Sequence, residues 1–290
     1  MYGGALSSSV LQGMSITFGT QSSPTSMSVA WGYKPTELTN TATIAHSVQY
    51  IKTSGFHHEA VIDNISCDTP LVYYQISADE TTAAVNSFTR TPCSPTASYN
   101  LAIFGDMGYQ DSVQRPMKLP LMQDEIKGLF KDWSAQFSYD TLMDWTNKNE
   151  VDMMWHLGDI GYIDDSYAHA PTSFTYEKDY DGYMNWIQNY TSSIPYMVTP
   201  GNHESECHSP SCVVQYYKNG RHLANFTAYN SRWNMPSKQS EGSREGTNMW
   251  YSLNVGPAHI VSINTETDFK GAAEEEKGDS GIPYMKVRAS

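Results

Sequence analysis

The chain has 290 residues, 39% hydrophobic and 17% charged, so it can bury at least one core and is long enough for two domains. Lys and Arg total 18 against 31 Asp and Glu, a formal charge of -13. That balance repels nucleic acid phosphates and anionic lipid unless a cation intervenes, which argues against polyanions as partners, and no stretch is apolar for long enough to span a bilayer.

Met1 to Gly13 lacks a basic region followed by a sustained apolar run, so no complete signal peptide is read there. From residue 15 to about 90 the chain is a series of short β-like runs. Ser15–Phe18, Ser26–Trp31, Ala42–Ile44, Ala60–Ile62 and Leu71–Ile76 alternate small or polar with apolar residues, and Pro24, Pro35, Asn64 and Pro70 punctuate them. This pattern predicts a β-sandwich whose core takes Trp31 and one of Tyr73 or Tyr74. His57-His58, within the same region, is read as a pair of polar side chains on the surface. Thr91 to Ser98 is rich in Pro and Ser and reads as a linker, with a domain boundary near 95.

Beyond it, apolar strands alternate with helical stretches, the rhythm of an α/β domain. Leu101–Phe104, Val151–Trp155, Tyr196–Val198 and His259–Ile263 are the expected strands. Helices are expected over Asp140–Lys148 and Asp179–Tyr190, the second opened by acidic residues that suit a helix N-terminus. The four cysteines, Cys67, Cys93, Cys207 and Cys212, form no CxxC pair of the zinc-binding kind. Disulfides are expected instead, with a local bridge between Cys207 and Cys212 as one hypothesis and the full connectivity open. Sequons at Asn64, Asn189 and Asn225 fit glycosylation in a secretory compartment, and secretion is the expected location.

Three of the expected strands end in short Gly-containing turns: Gly105-Asp106-Met107-Gly108, Gly158-Asp159-Ile160-Gly161-Tyr162 and Gly201-Asn202-His203-Glu204. Ligands in open α/β sheets bind at such carboxyl ends. The order Gly-Asp, Gly-Asp-x-x-Tyr, Gly-Asn-His-Glu resembles the metallophosphoesterases, and the Tyr three residues after the second Asp resembles their purple acid phosphatase branch. The resemblance covers about residues 14 to 284. It implies a fibronectin type III-like sandwich over 14–94, then over 98–290 the N-terminal part of an α/β metallophosphoesterase domain, an incomplete αββα sandwich. It further implies an acid phosphatase hydrolysing phosphate monoesters with a metal-activated hydroxide at a binuclear site, Fe(III) beside a divalent Zn, Mn or Fe.

By that resemblance Asp159 bridges the metals, Asp106 and Tyr162 bind the ferric ion, Asn202 binds the divalent one, and His203 approaches the phosphate as the catalytic residue. Glu204 is expected to orient the ligands from behind, and His156, which also fits the family pattern, is read as a satisfied strand histidine. The family's later Val-x-x-His strand and Gly-His-x-His turn do not occur in this sequence. A C-terminal truncation is therefore expected, with weak metal binding, little activity and apolar strand surface left exposed. Two alternatives stand: a non-catalytic product acting as a binding module, and a phosphodiesterase or nucleotidase of the same superfamily. Small phosphate esters are the expected substrates under the first reading, and no oligomeric state is read.

Overall fold

The computed structural model describes residues 12–109, 135–164, 174–205, 223, 225–236 and 248–265, and the statements below concern these. The front of the chain forms two antiparallel sheets. One has the order β1–β5–β4, with β1 Gln12–Thr20, β4 Thr43–Val48 and β5 Phe56–Ile65. The other runs β3–β2–β6–β7, with β2 Met27–Gly32, β3 Asn40–Thr41, β6 Leu71–Ala78, β7 Thr81–Thr82, and β8 Asn86–Thr89 pairing with β6. Alternate side chains of both sheets meet in one core, Ile16, Ala60 and Ile62 from the first against Val29, Trp31, Val72, Tyr74 and Phe88 from the second. This is the sheet-on-sheet packing that period-two alternation dictates. Of the two tyrosines read as core candidates, Tyr74 is the buried one.

His57 and His58 correct the sequence reading, because both are buried rather than on the surface. Strand β5 is covered on both faces. His58 sits 5.1 Å from the Phe18 ring and shares a hydrogen bond of 2.8 Å with the Thr20 hydroxyl. His57 faces the other way and stacks on Tyr50 at 5.4 Å.

The back half is built on a parallel sheet of order β9–β10–β11: β9 Leu101–Phe104, β10 Met153–Leu157 and β11 Tyr196–Thr199. Helix α1, Ala135–Asn147, follows β9, and helix α2, Tyr176–Thr191, joins β10 to β11. The two helices meet through Tyr139 stacked on Trp186 at 4.4 Å. Both start earlier than periodicity predicts, α2 by three residues, because Thr175 accepts from the Asp179 amide and donates its hydroxyl to the Asp179 carboxylate. A short helix α3, Thr227–Arg232, and a hairpin of β12 Tyr251–Val255 with β13 Ala258–Ser262 complete the described elements. The hairpin joins β11 through Tyr251 donating to the Val198 carbonyl (2.8 Å) and a Thr199–Ser262 hydroxyl pair (2.9 Å).

On the parallel sheet Ile103 and Leu157 are exposed at 58% and 51%, and beside it Val261 of β13 and the following Ile263 are exposed as well. Among the described residues no helix is long and apolar enough to cross a membrane.

The segment read as a linker is tied down on both sides. Cys93 is disulfide-bonded to Cys67, and the Gly256 amide donates to the Pro92 carbonyl. The bridge proposed between Cys207 and Cys212 lies outside the described residues. A stronger tie between front and back centres on Arg232, which is 1% exposed. Its Nε donates to the Tyr50 hydroxyl, Nη2 to Glu177 and Nη1 to Asp181, each at 2.8 Å, and Tyr50 donates to Glu177 at 2.6 Å. The guanidinium also lies 4.3 Å from the Tyr180 ring centroid.

Removing the Arg232 side chain leaves Glu177 buried without its cation, so Arg232→Ala is expected to cost about 3–5 kcal/mol in equilibrium denaturation, the range for breaking a buried ion pair. A loss below 1 kcal/mol would show the network to be dispensable. His57 supplies a pH-dependent test. Burial, then the nearby Arg232 charge, hold its ring down at about 3, whereas the unfolded chain takes up a proton near pH 6.5. Between those values the unfolded state binds more protons, so this group's stabilisation falls as pH falls. His57→Phe keeps the ring on Tyr50 and removes the titration; its urea stability should drop by about 2 kcal/mol less than wild type's between pH 7 and pH 5. Equal drops would contradict the assignment.

Candidate metal centre

The carboxyl ends of β9, β10 and β11 lie side by side because the three strands are parallel and in register. Gly105-Asp106, Gly158-Asp159 and Gly201-Asn202 therefore emerge at one edge of the sheet. Backbone pairing continues past the strands, with the Asp106 amide donating to the Gly158 carbonyl and the Gly108 amide to the Ile160 carbonyl, both at 3.2 Å. Two glycines permit the approach of the second and third turns. Gly158 has φ +80°, and a Cβ on it would sit 2.8 Å from the Gly201 nitrogen; a Cβ on Gly201 would collide with the Asp159 carboxylate.

Asp106, Asp159 and Tyr162 all adopt the left-handed backbone region, with φ of 53°, 48° and 51°. Aspartate tolerates that region, but tyrosine does so at a cost, and outliers gathered at one place mark a functional site more often than chance. Their side chains converge. The Tyr162 hydroxyl donates to Asp106 Oδ1 at 2.8 Å and stands 3.3 Å from Asp159 Oδ2. Burial, then the hydrogen bond to Asp106 and the charges of both aspartates, push this phenol well above its ordinary range. The other Asp159 oxygen, Oδ1, accepts the His203 amide at 3.2 Å.

Asn202 opens a single 3₁₀ turn, Asn202–Glu204, and lines a cleft of about 450 Å³ together with Asp159, Trp155, Leu157, Thr199 and Ile263. The His203 ring lies 4.3 Å from the Tyr162 ring. Its Nδ1 is 2.9 and 3.0 Å from the two carboxylate oxygens of Asp164, a residue fully buried two positions after Tyr162. The sequence reading did not single out Asp164. The signal available was an acidic residue just past the Gly-Asp-x-x-Tyr turn, too common a placement to stand out alone.

Glu204 is buried, and its carboxylate accepts three backbone amides: Gly201 at 2.8 Å and Asp159 at 3.0 Å on Oε2, and Ile160 at 2.8 Å on Oε1. Burial pushes it up to about 8, while the Gly201 and Ile160 amides pull it down. His156 lies on the helix-facing side of β10, fully buried, with Nδ1 2.6 Å from the Tyr196 hydroxyl and its ring 4.7 Å from Phe104. Burial lowers it to about 3, opposed by a hydrogen bond to the Asp159 backbone. Of the predicted residues, then, Asp106, Asp159, Tyr162 and His203 touch one another, and Asn202 borders the same cleft. His57 and His58 lie apart in the front sheets.

Two carboxylates and a phenol around one point form a hard-oxygen donor set, and the proton on Tyr162 stands where a cation's charge would serve the same two carboxylates. No group of three His, Cys, Asp or Glu side chains able to hold a metal occurs among the described residues. Tyr162 supplies the third oxygen beside the two aspartates, and Asn202 borders the same cleft.

Residues 99–270 match the family described as Calcineurin-like phosphoesterase. An acid phosphatase of Aspergillus ficuum is 28% identical over an alignment covering 88% of this chain and 51% of that protein. The probable purple acid phosphatase 20 of Arabidopsis thaliana is 27% identical, with 87% and 50% covered. The solved purple acid phosphatase from yellow lupin (Lupinus luteus) seeds shares the fold at a TM-score of 0.59 and 15% identity, over 91% of this chain and 44% of that one. The chain spans about half the length of these relatives. Since the matched segment is more than half of its 290 residues, the chain belongs to the calcineurin-like phosphoesterase family, and its relatives there include the purple acid phosphatases.

Proposed function

We propose that this chain carries the front portion of an acid phosphatase centre that hydrolyses phosphate monoesters at a pair of metals, Fe(III) with a divalent Zn, Mn or Fe. The observation that carries the reading is the meeting of Asp106 and Asp159 at the Tyr162 hydroxyl, with all three residues held in left-handed backbone. In this reading Asp106 and Tyr162 hold the ferric ion, Asn202 the divalent one, and Asp159 both. The two oxygens of Asp159 already face different ways, one toward Tyr162 and one toward the His203 amide, which suits a shared ligand. When bound, the pair supplies positive charge for the phosphoryl oxygens and lowers the pKa of water.

His203 is the side chain that reaches a bound phosphoryl group. Glu204 keeps the Asp159 and Asn202 turns at fixed separation by holding amides on both. Among the described residues the four oxygen and amide donors named above are fewer than a complete pair of sites needs, so retention of metal and turnover are both expected to be low. The front sheets fit a fibronectin type III-like sandwich over 14–94, and 98–290 the leading part of an αββα domain. Exposed sequon residues Asn64, Asn189 and Asn225 are consistent with a secreted glycoprotein.

Three measurements test this reading. Titrating Fe(III) into the purified chain should raise a visible tyrosinate charge-transfer band that Tyr162→Phe abolishes; no band in wild type at saturating iron would remove the assignment and favour a non-catalytic binding role. Glu204→Gln should weaken metal retention by about 10–100-fold, the usual effect of losing a group that orients ligands, measured by competition with a chelator. Slow hydrolysis of a chromogenic phosphomonoester, lost in Asp159→Asn, is the expected activity. Faster hydrolysis of a diester than of a monoester would contradict the substrate class.

A further inference from the structure

The loop between β4 and β5 reaches from the front sheets into the back half. Gln49 Nε2 donates to the Ser54 carbonyl (2.8 Å) and the Ser54 amide to the Ile51 carbonyl (3.1 Å), which folds residues 49–54 tightly and leaves Tyr50 and Ile51 packed on the core of the back half. His57 stands at the base of this loop, opposite Val48 in the strand pairing, with its ring stacked on Tyr50 at 5.4 Å. Tyr50 in turn accepts from Arg232 and donates to Glu177. His57 is 7% exposed, and its Nε2 has no hydrogen-bond partner among the described residues. A neutral imidazole tolerates that place. An imidazolium there would bury a second positive charge near Arg232 with an N–H unpaired.

The groups around His57 do little to offset such a charge. Arg232 faces it from α3, and the α2 carboxylates Glu177 and Asp181 are both engaged by that guanidinium, Glu177 Oε2 by Tyr50 as well. Burial keeps the phenols of Tyr50, Tyr176 and Tyr180 neutral. From β4 and β5, His46 and His58 add positive charge in acid, while Glu59 is held by Ser15 at 2.7 Å and His46 at 3.3 Å. Strand β1 offers only the backbone of Gly19, and Lys52 in the loop is exposed to solvent.

We infer that this loop is an acid-released latch between the two halves: proton uptake by His57 drives its ring off Tyr50, the Tyr50 hydroxyl leaves Arg232 and Glu177, and the halves part at this end while each core stays folded. Two other contacts between the halves, Tyr74 donating to the Ser192 carbonyl (3.1 Å) and the Gly256 amide to the Pro92 carbonyl (3.2 Å), contain no group that ionises in mild acid, so they hold. A released His57 binds its proton near pH 6.5, whereas burial and Arg232 hold it at about 3 in the closed latch. Between those values the open form carries more protons, and each pH unit of acid favours release about tenfold. Glu177 acts in the opposite direction, since burial raises its pKa in the closed form.

Hydrogen exchange on the full chain at pH 7 and pH 5, read as protection factors that divide out the intrinsic pH dependence, tests the latch without denaturant. Protection of the amides of residues 49–54, Ser54 among them, should fall in acid, and the fall in wild type should exceed that in His57→Phe by about 20-fold. Amides of β6 and β10 should stay protected in both chains. The comparison cancels Glu177 and every other titrating group the two chains share. Equal falls in the two chains, a loop better protected in acid, or a wild-type loss spread evenly over β6 and β10 would each overturn the inference, the last because it is global unfolding. Where His57→Phe does not fold, wild type decides alone. Loop protection that falls with acid ahead of β6 and β10 supports the latch, and a His57 ring that titrates near pH 6.5 by nitrogen NMR with Ser54 protection unchanged overturns it.

Discussion

The candidate centre depends on one buried carboxyl group. Glu204 accepts amide protons from Gly201 in its own turn and from Asp159 and Ile160 in the neighbouring one, so the two turns cannot separate without stranding buried polar atoms on both sides. Leaving a buried donor or acceptor unpaired costs about 1–3 kcal/mol. The parallel register of β10 and β11 brings the turns to the same edge; Glu204 then sets their separation to within a hydrogen bond. Neither alone would aim Asp159 at Tyr162.

That clamp also accounts for the backbone at the site. Holding non-glycine residues in sparsely populated regions costs of the order of 1–3 kcal/mol each and persists only where surrounding contacts outweigh it. Asp106, Asp159 and Tyr162 each carry that cost. The amides of Asp106 and Gly108 bind carbonyls of the next turn, and the amides of Asp159 and Ile160 bind Glu204, so the strained stretch is hydrogen-bonded along its length. Three oxygen atoms are thus held at one point by the fold itself.

Much of this was legible in the residues. Strand β9 falls where four apolar residues precede Gly-Asp, β10 lies two residues later than the expected Val151–Trp155, and β11 runs one residue beyond Tyr196–Val198, because short apolar runs closed by glycine leave few other options. The turns bearing Asp106, Asp159 and Asn202 were legible because each places glycine directly after a short apolar run. What escaped was set by tertiary contact. His57 and His58 look like surface residues until β5 is covered on both faces, one by the opposing sheet and one by the Tyr50 segment. Asp164 shows no local sign of its partner 39 residues away. Helix α3 and strand β12 lie in a region whose aromatic residues fit several periods equally well, and Arg232 at the end of α3 is buried only because Tyr50, Glu177 and Asp181 converge on it.

The convergence on Arg232 bears on how such chains can be recombined. A phenol contributed by the front sheets completes the coordination of a guanidinium rooted in the back half, and the same phenol donates to the acid that neutralises it. Exchanging the front sheets for another β-module would transplant cleanly only if the newcomer presented a hydroxyl at the place of Tyr50. A module lacking it would leave the cation short of an acceptor in a dry seam, and the chimera would be expected to hinge open there rather than behave as one rigid body.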